Sequence, residues 1–282
     1  MTIKDIIIKY TQEFKNISDT PRLDIEILIE QVLKVDRLYI HLNLNKEISK
    51  EDETELLKMV QQRLNNRPIA YIVENREFMG LDFYVKEGVL IPRPDTEILV
   101  EEIIEICDKS RELSLLDIGT GSGAITVSLA KYIQKSKITS FDVSDIALEV
   151  GKINAVQNEV NSKIEFIKSD LFTSIKNTGK KFDIIVSNPP YIPKKDIETL
   201  HNQVKDYEPM GALDGGEDGL DFYRDITEQS KEYLVKSGIL AFEVGHDQAE
   251  EVEQIMIRNG YSKTYKKKDL QGIDRVVIGF NI

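Results

Sequence analysis

Residues 113–123 read Leu-Ser-Leu-Leu-Asp-Ile-Gly-Thr-Gly-Ser-Gly, an apolar run that ends in three alternating glycines. Leu113 to Ile118 is the pattern of a strand buried on both faces, as in a parallel sheet. Apolar residues at helical spacing follow it, at Ile125, Leu129 and Ile133. Strand, glycine turn and helix in that order let backbone approach a nucleotide-like ligand closely, the pattern of a Rossmann-like half. The spacing is G-x-G-x-G, which departs from the G-x-G-x-x-G of dinucleotide sites. A further strand over 138–141 ends in Asp142, where an acid binds ribose hydroxyls. Gly119, Thr120, Gly121, Ser122, Gly123 and Asp142 are therefore candidate ligand contacts, with a ligand-free turn as the plain alternative. These residues alone do not separate NAD from S-adenosylmethionine.

A second constraint is the run Phe182 to Ser187, another buried strand, which leads into Asn188-Pro189-Pro190-Tyr191. Neither proline has an N–H and each fixes its φ, so the carbonyls here are stiffly aimed. The Asn188 side-chain carbonyl and a neighbouring backbone carbonyl can both accept from one NH2 group. The Tyr191 ring can cover the flat face of that group. A nitrogen gripped this way has both hydrogens engaged and its lone pair directed elsewhere, toward an electrophile. The alternative is a Pro-Pro turn closing a strand. In a Rossmann-like sheet both loops leave carboxyl ends of strands, so the gripped nitrogen faces the ligand. A dehydrogenase has no use for such a clamp, whereas the sulfonium methyl of S-adenosylmethionine needs an oriented acceptor. Asp170, ending the strand 164–168, is placed to accept from an adenine amine.

The rest of the chain falls into two regions with no internal repeat. Its 282 residues predict a compact domain of roughly 180–190 residues and a smaller one. Residues 1–70 read as helices, with Ile3, Ile6, Ile7, Tyr10 and Phe14 on one face. Thr20-Pro21 predicts a capped helix through Leu33, and Ser49 with Asp52 another that carries Leu56, Leu57, Val60 and Leu64 inward. Residues 71–92 contain a β-hairpin pattern around Phe78 and Phe83, either core or substrate wall. From residue 95 helices and strands alternate, and the last two strands are expected to be antiparallel. The net charge of −12 disfavours broad contact with phosphate backbones. No apolar run approaches the ~20 residues a membrane span needs. The sole cysteine, Cys107, falls in a helical stretch and fits a reducing compartment. His41, His201 and His246 lack metal-ligand spacing, so no metal is expected. Lys266-Lys267-Lys268 reads as a solvated loop, and residues 211–219 as a flexible bridge or a lid.

With these motifs together the chain resembles the release-factor glutamine methyltransferase family (PrmC, also called HemK) over essentially its whole length. The matching segments are Leu90-Ile91-Pro92-Arg93-Pro94-Asp95-Thr96-Glu97, Asp117 to Gly123, Ser187 to Tyr191 and Tyr207-Glu208-Pro209. Gly215-Gly216-Glu217-Asp218-Gly219-Leu220 with Tyr223-Arg224, and Glu243-Val244-Gly245 with Gln248, complete them. One departure is Glu74, where the family commonly has glycine. The resemblance implies an α/β fold: a Rossmann-like class I S-adenosylmethionine-dependent methyltransferase domain at 93–282, a β-hairpin connector at 71–92, and a small helical-bundle substrate-docking domain at 1–70. It implies methyl transfer to the N5 amide nitrogen of the glutamine in the Gly-Gly-Gln motif of bacterial class 1 peptide-chain release factors. Asn188, Pro189, Pro190 and Tyr191 are then the catalytic and substrate-binding residues. Gly119 to Gly123, Asp142, Asp170, Leu171 (the adenine-flanking position) and Asn188 hold the cofactor, which leaves as S-adenosylhomocysteine. The expected partner is the release factor, with no direct nucleic acid and no membrane, for a cytoplasmic monomer. Rival readings are an amino methyltransferase acting on nucleic acid, the ribosomal-protein glutamine methyltransferase, and a non-catalytic cofactor-binding adaptor.

Overall fold

A computed structural model describes residues 1–281, which form two compact units. The first comprises Met1–Asn75 with His201–Tyr207, the second Arg76–Leu200 and the chain from Glu208 onward.

The first unit is built on α1 (Ile3–Glu13), α2 (Pro21–Leu33), α3 (Arg37–Leu42), α4 (Lys50–Leu64) and α5 (Ile69–Val73). A capping box between Thr2 and Asp5 opens α1, whose Ile3, Ile6, Ile7 and Tyr10 are buried together with Phe14. Thr20 does not cap α2; its hydroxyl donates to Asp24 Oδ1 instead, at 3.4 Å. Ser49 caps α4 as expected, accepting from the Asp52 N–H. Leu56 and Val60 point inward but Leu57 is 45% exposed, because one residue's step along a helix turns the side chain by about 100°. Beneath them Arg63, 2% exposed, donates from Nε to Asp24 Oδ2 at 2.7 Å and from Nη2 to the Ile17 carbonyl at 2.8 Å. The 201–207 segment is tied into the same unit, with the Tyr207 hydroxyl donating to the Asn65 carbonyl at 2.7 Å.

The second unit begins with a hairpin, β1 (Asn75–Phe78) and β2 (Leu81–Tyr84). Phe78 and Phe83 meet edge to face and are fully buried, so the aromatic part of the connector is core. Then follow α6 (Pro94–Ile106), β3 (Leu113–Ile118), α7 (Ala124–Tyr132), β4 (Ser136–Asp142), α8 (Asp145–Gln157), β5 (Ile164–Lys168) and β6 (Phe182–Ser187). After the single-turn α9 (Asn202–Lys205) of the first unit come α10 (Asp221–Tyr233), β7 (Leu234–Glu243), α11 (Ala249–Arg258), β8 (Lys263–Lys268) and β9 (Asp274–Asn281). Seven strands form one sheet in the order β5-β4-β3-β6-β7-β9-β8. β3 to β7 pair in parallel, and β9 lies antiparallel to both β7 and β8.

Alternation along each strand divides the core in two. Leu115, Ile184, Val186, Ile239 and Ala241 pack with α6 and α7 residues such as Val100 and Val127. Leu116, Ile185, Leu240 and Phe242 pack with Ile226 of α10 and Val252 of α11. Burial on both faces is why these strands read as unbroken apolar runs. The lysine run 266–268 is not a loop but lies on edge strand β8. There Lys266 pairs with Glu250 and Glu253, Lys267 with Glu102, and Lys268 with Asp274, a charged edge that resists further strand pairing. Among the described residues no helix is long and apolar enough to cross a membrane. Strand order reverses between β3 and β6, and a crevice opens at their carboxyl ends.

Candidate active site

The parallel register aligns Leu115 with Ile184 and Ile118 with Ser187, so β3 and β6 end level and the chain leaves them as Gly119 and Asn188. The Ser187 hydroxyl locks the ends together by donating to the Ile118 carbonyl at 2.6 Å. Two motifs far apart in sequence thus border one cleft of about 250 Å³. Gly119 to Ser122 line it, together with Asp142, Asp170, Leu171, Asn188, Pro189 and Pro190. Gly123 and Tyr191 are not among the lining residues. A Cβ at Gly123 would stand 3.0 Å from the Gly151 Cα, so this glycine serves the close approach of α7 to α8. Tyr191 is partly buried against the core beneath α10 and α11.

The glycine loop satisfies its own amides. The N–H groups of Gly119 and Thr120 both donate to the Phe141 carbonyl at 2.9 Å, and that of Gly123 to the Thr120 carbonyl. Gly121 donates to Asp142 Oδ2 at 2.9 Å, and Ser144 to Asp142 Oδ1 at 2.8 Å. The Asp142 carboxylate is therefore fixed by backbone, with a second lone pair on each oxygen. At Gly121 φ is +53° and an added Cβ would meet nothing within 4 Å, so the loop offers the cleft a bare backbone surface. Asp170 is exposed beside Leu171, which holds a left-handed φ of 46°.

Under the loop lies Asp117, wholly buried. The Thr126 hydroxyl donates to its Oδ2, while Oδ1 has no donor among the described residues. Burial pushes this carboxyl up to about 7, the Thr126 hydroxyl opposes the rise, and the charge of Asp142 adds to it.

On the other wall, Asn188 Nδ2 donates to the buried Thr96 Oγ1 of α6 at 3.2 Å. Glu243, at the end of β7 and 2% exposed, lies against both. Burial pushes its carboxyl up to about 7, opposed by hydrogen bonds from Thr96 and Asn188. Burial, with the nearby Glu243 charge, pushes the Tyr191 phenol up to about 12.

The Asn188–Tyr191 loop is buttressed from behind. Gln248 Nε2 donates to the carbonyls of Tyr191 at 2.9 Å and Gly219 at 3.2 Å, while its Oε1 accepts from the Gly245 N–H at 3.1 Å. Gly215 donates to the Ile192 carbonyl and Ile192 to that of Leu213. A Cβ at Gly215 would stand 2.7 Å from the Tyr191 Cα. The 211–219 segment, expected to be flexible, is thus pinned to the loop it follows, with Gly211 at the cleft. Arg93, also at the cleft, pairs with the buried Glu208 at 2.5 Å. Thr96, Glu243, Gln248, Arg93 and Glu208 were absent from the candidate list. Their signal was present in the Ile-Pro-Arg-Pro-Asp-Thr-Glu, Tyr-Glu-Pro and Glu-Val-Gly segments, which carried resemblance but no assigned role.

Two family models match the chain, the PrmC N-terminal domain over residues 5–73 and the methyltransferase small domain over residues 94–206. The chain is 43% identical to the release factor glutamine methyltransferase of Clostridium acetobutylicum over 279 residues, 99% of this chain and 98% of that one. It is 40% identical to that of Clostridium botulinum over 278 residues, 98% of each. Among solved structures, the T. thermophilus 16S rRNA N2 G1207 methyltransferase in complex with AdoMet and guanosine aligns with a TM-score of 0.54 at 17% identity. That alignment covers 74% of this chain and 50% of the other, a likeness of fold. With such identity along nearly its whole length, the chain belongs to the release factor glutamine methyltransferase family.

Proposed function

We propose that the chain methylates the side-chain amide nitrogen of a glutamine in peptide-chain release factors, the glutamine of their Gly-Gly-Gln motif, with S-adenosylmethionine as methyl donor. The observation that carries this reading is the meeting of the Asn188–Pro190 turn and the bare glycine loop at one cleft. The residues present fit the donor. Gly121 leaves open space at the loop, Asp142 is fixed with acceptor lone pairs suited to ribose hydroxyls, and Asp170 with Leu171 suits an adenine edge and face. When bound, S-adenosylmethionine supplies an electrophilic sulfonium methyl and is released as S-adenosylhomocysteine.

The chain's own work is to hold the acceptor. An amide nitrogen is a poor nucleophile because its lone pair is delocalised into the carbonyl. Asn188 Oδ1 and the carbonyl of Pro189 or Pro190 accept from its two N–H groups, which favours a pyramidal nitrogen and aims its lone pair. Positioning of this kind lowers a barrier by several kcal/mol, up to roughly 7–11 in ideal cases. Tyr191 supports the loop through its backbone and its partly buried ring. The protein acts as a monomer in the cytoplasm on a protein substrate, in keeping with its net charge of −12. The test is incubation with methyl-labelled S-adenosylmethionine and an intact release factor, with mass spectrometry of the product. Label on the Gly-Gly-Gln glutamine is expected; label on DNA or ribosomal protein in its place would overturn the assignment.

A further inference from the structure

Because Ser187 stands opposite Phe242 in the β6–β7 register, the next residues, Asn188 and Glu243, leave neighbouring strands side by side. The reading above needs Asn188 to present its carbonyl oxygen to the acceptor. A carboxamide's two ends are nearly equal in size and opposite in hydrogen bonding, so packing alone does not choose which end faces the cleft. Here the choice is made by polarity. Asn188 Nδ2 donates to Thr96 Oγ1 at 3.2 Å, which leaves the Thr96 hydroxyl hydrogen to find an acceptor. The Glu243 carboxyl, whose Oε2 is buried without a partner among the described residues, lies beside Thr96 and Asn188 and has its proton affinity lowered by both. An ionised carboxylate only accepts, so it orders the relay: Thr96 O–H toward Glu243, Asn188 N–H toward Thr96, and the Asn188 oxygen left over. We propose that Glu243 is a positioning residue whose carboxylate, through Thr96, turns the Asn188 amide so that Oδ1 meets the glutamine N–H. This rests on the methyl-transfer reading.

Protonation reverses the relay. A neutral Glu243 donates to Thr96 Oγ1, whose hydroxyl is then free to donate to Asn188 Oδ1, and the amide NH2 turns toward the acceptor's own NH2. Burial places this titration near neutrality, at about 7. The other groups facing Glu243 are Asp95 of α6, which raises it, and Arg275 of β9, which lowers it. Arg275 is itself paired with Asp95 and Asp269. The phenols of Tyr191 and Tyr223 face it too, and both are pushed upward by burial, so they stay neutral across the range. Asp117 shares a value of about 7 but lies under the glycine loop.

The test is the single-turnover rate on an intact release factor at saturating S-adenosylmethionine, from about pH 5.5 to 9. Wild type is expected to rise with pH through the neutral range. Glu243→Gln carries both a donor and an acceptor and no longer dictates polarity. It should run roughly ten- to a hundredfold slower at high pH and lose the rise, with S-adenosylmethionine affinity by calorimetry within about twofold of wild type. The rise should persist in Asp117→Asn, and Thr96→Ser should keep the rate that Thr96→Val loses. If Glu243→Gln fails to fold, the Thr96 pair decides. A wild-type rate in Glu243→Gln or Thr96→Val, or a pH profile in Glu243→Gln unchanged from wild type, overturns the proposal. A wild-type protein that transfers no methyl to the factor at any pH overturns the underlying reading, and the relay with it.

Discussion

Asp117 and Glu243 are buried carboxyls under opposite walls of one cleft, and both are pushed to about 7. For Asp117 the ordinary value is 3.8, so between that and 7 the folded chain retains a proton that the unfolded chain has released. Stability therefore falls as pH rises through this window, and the full cost is present above it. Asp117→Asn keeps the shape and removes the charge. Its melting temperature relative to wild type should rise more at about pH 8 than at about pH 5, where the wild-type carboxyl is already neutral. Equal shifts at both pH values would show that Asp117 ionises normally. Asn188→Ala removes the acceptor oxygen while the prolines hold the loop. Turnover should fall by roughly a hundredfold or more with cofactor affinity largely kept, and a near-wild-type single-turnover rate would mean that Asn188 merely ends a strand. Asp142→Ala should do the converse. Loss of charged hydrogen bonds to ribose weakens S-adenosylmethionine by about 1.5–3 kcal/mol, and calorimetry giving unchanged affinity would remove Asp142 from the site.

At the scale of elements, α5 ends at Glu74 with a left-handed φ of 54°, where glycine is the usual choice. The turn that glycine would make is therefore kept, at the cost of strain in an L side chain. Glu74→Gly should stabilise the protein by a few tenths to about 1 kcal/mol, less the extra entropy of glycine in the unfolded chain, and urea unfolding measures it. Asp24→Ala acts in the opposite direction, since it strands the buried Arg63 guanidinium; a loss of about 3–5 kcal/mol is expected. What could be read beforehand follows a physical rule. Strands buried on both faces appear as local apolar runs, which is why 113–118 and 182–187 coincide with β3 and β6. Edge strand β5, half-buried at most, shows instead as the apolar residues Ile164, Phe166 and Ile167 interrupted by Glu165. The glycine loop and the Asn188–Pro190 turn were legible because their chemistry lies in consecutive residues. The Arg63–Asp24 pair and the juxtaposition of Asn188, Thr96 and Glu243 were not, because helix packing and strand register create them and no local spacing encodes either. The lysines of β8 were misread for a related reason: their partners are Glu102, Glu250, Glu253 and Asp274, of which only Asp274 is nearby in sequence.

Over the whole molecule, the division of labour follows from where the lining residues sit. Every residue bordering the cleft falls between Gly88 and Ile226 within the second unit, so the chemistry as proposed needs nothing from the helices at 1–70. The chain nevertheless departs from that unit just after the loop bearing Asn188. Residues 201–207 belong to the helical unit, anchored there by Tyr207 on Asn65 and Gln203 on Arg63, before Glu208 returns to pair with Arg93. The task proposed for a helical unit that contributes no residue to the cleft is to dock the large partner. A chain beginning at residue 71 should bind S-adenosylmethionine with little change by calorimetry, yet methylate an intact release factor far more slowly. A short peptide carrying the Gly-Gly-Gln sequence makes no use of a remote docking surface, so its rate should be affected much less. Loss of the Asn65 and Arg63 partners will also lower the melting temperature, so the comparison is made well below it. Equal losses on factor and peptide would point to a damaged cleft, and full activity on the factor would show that the helical unit does not dock it.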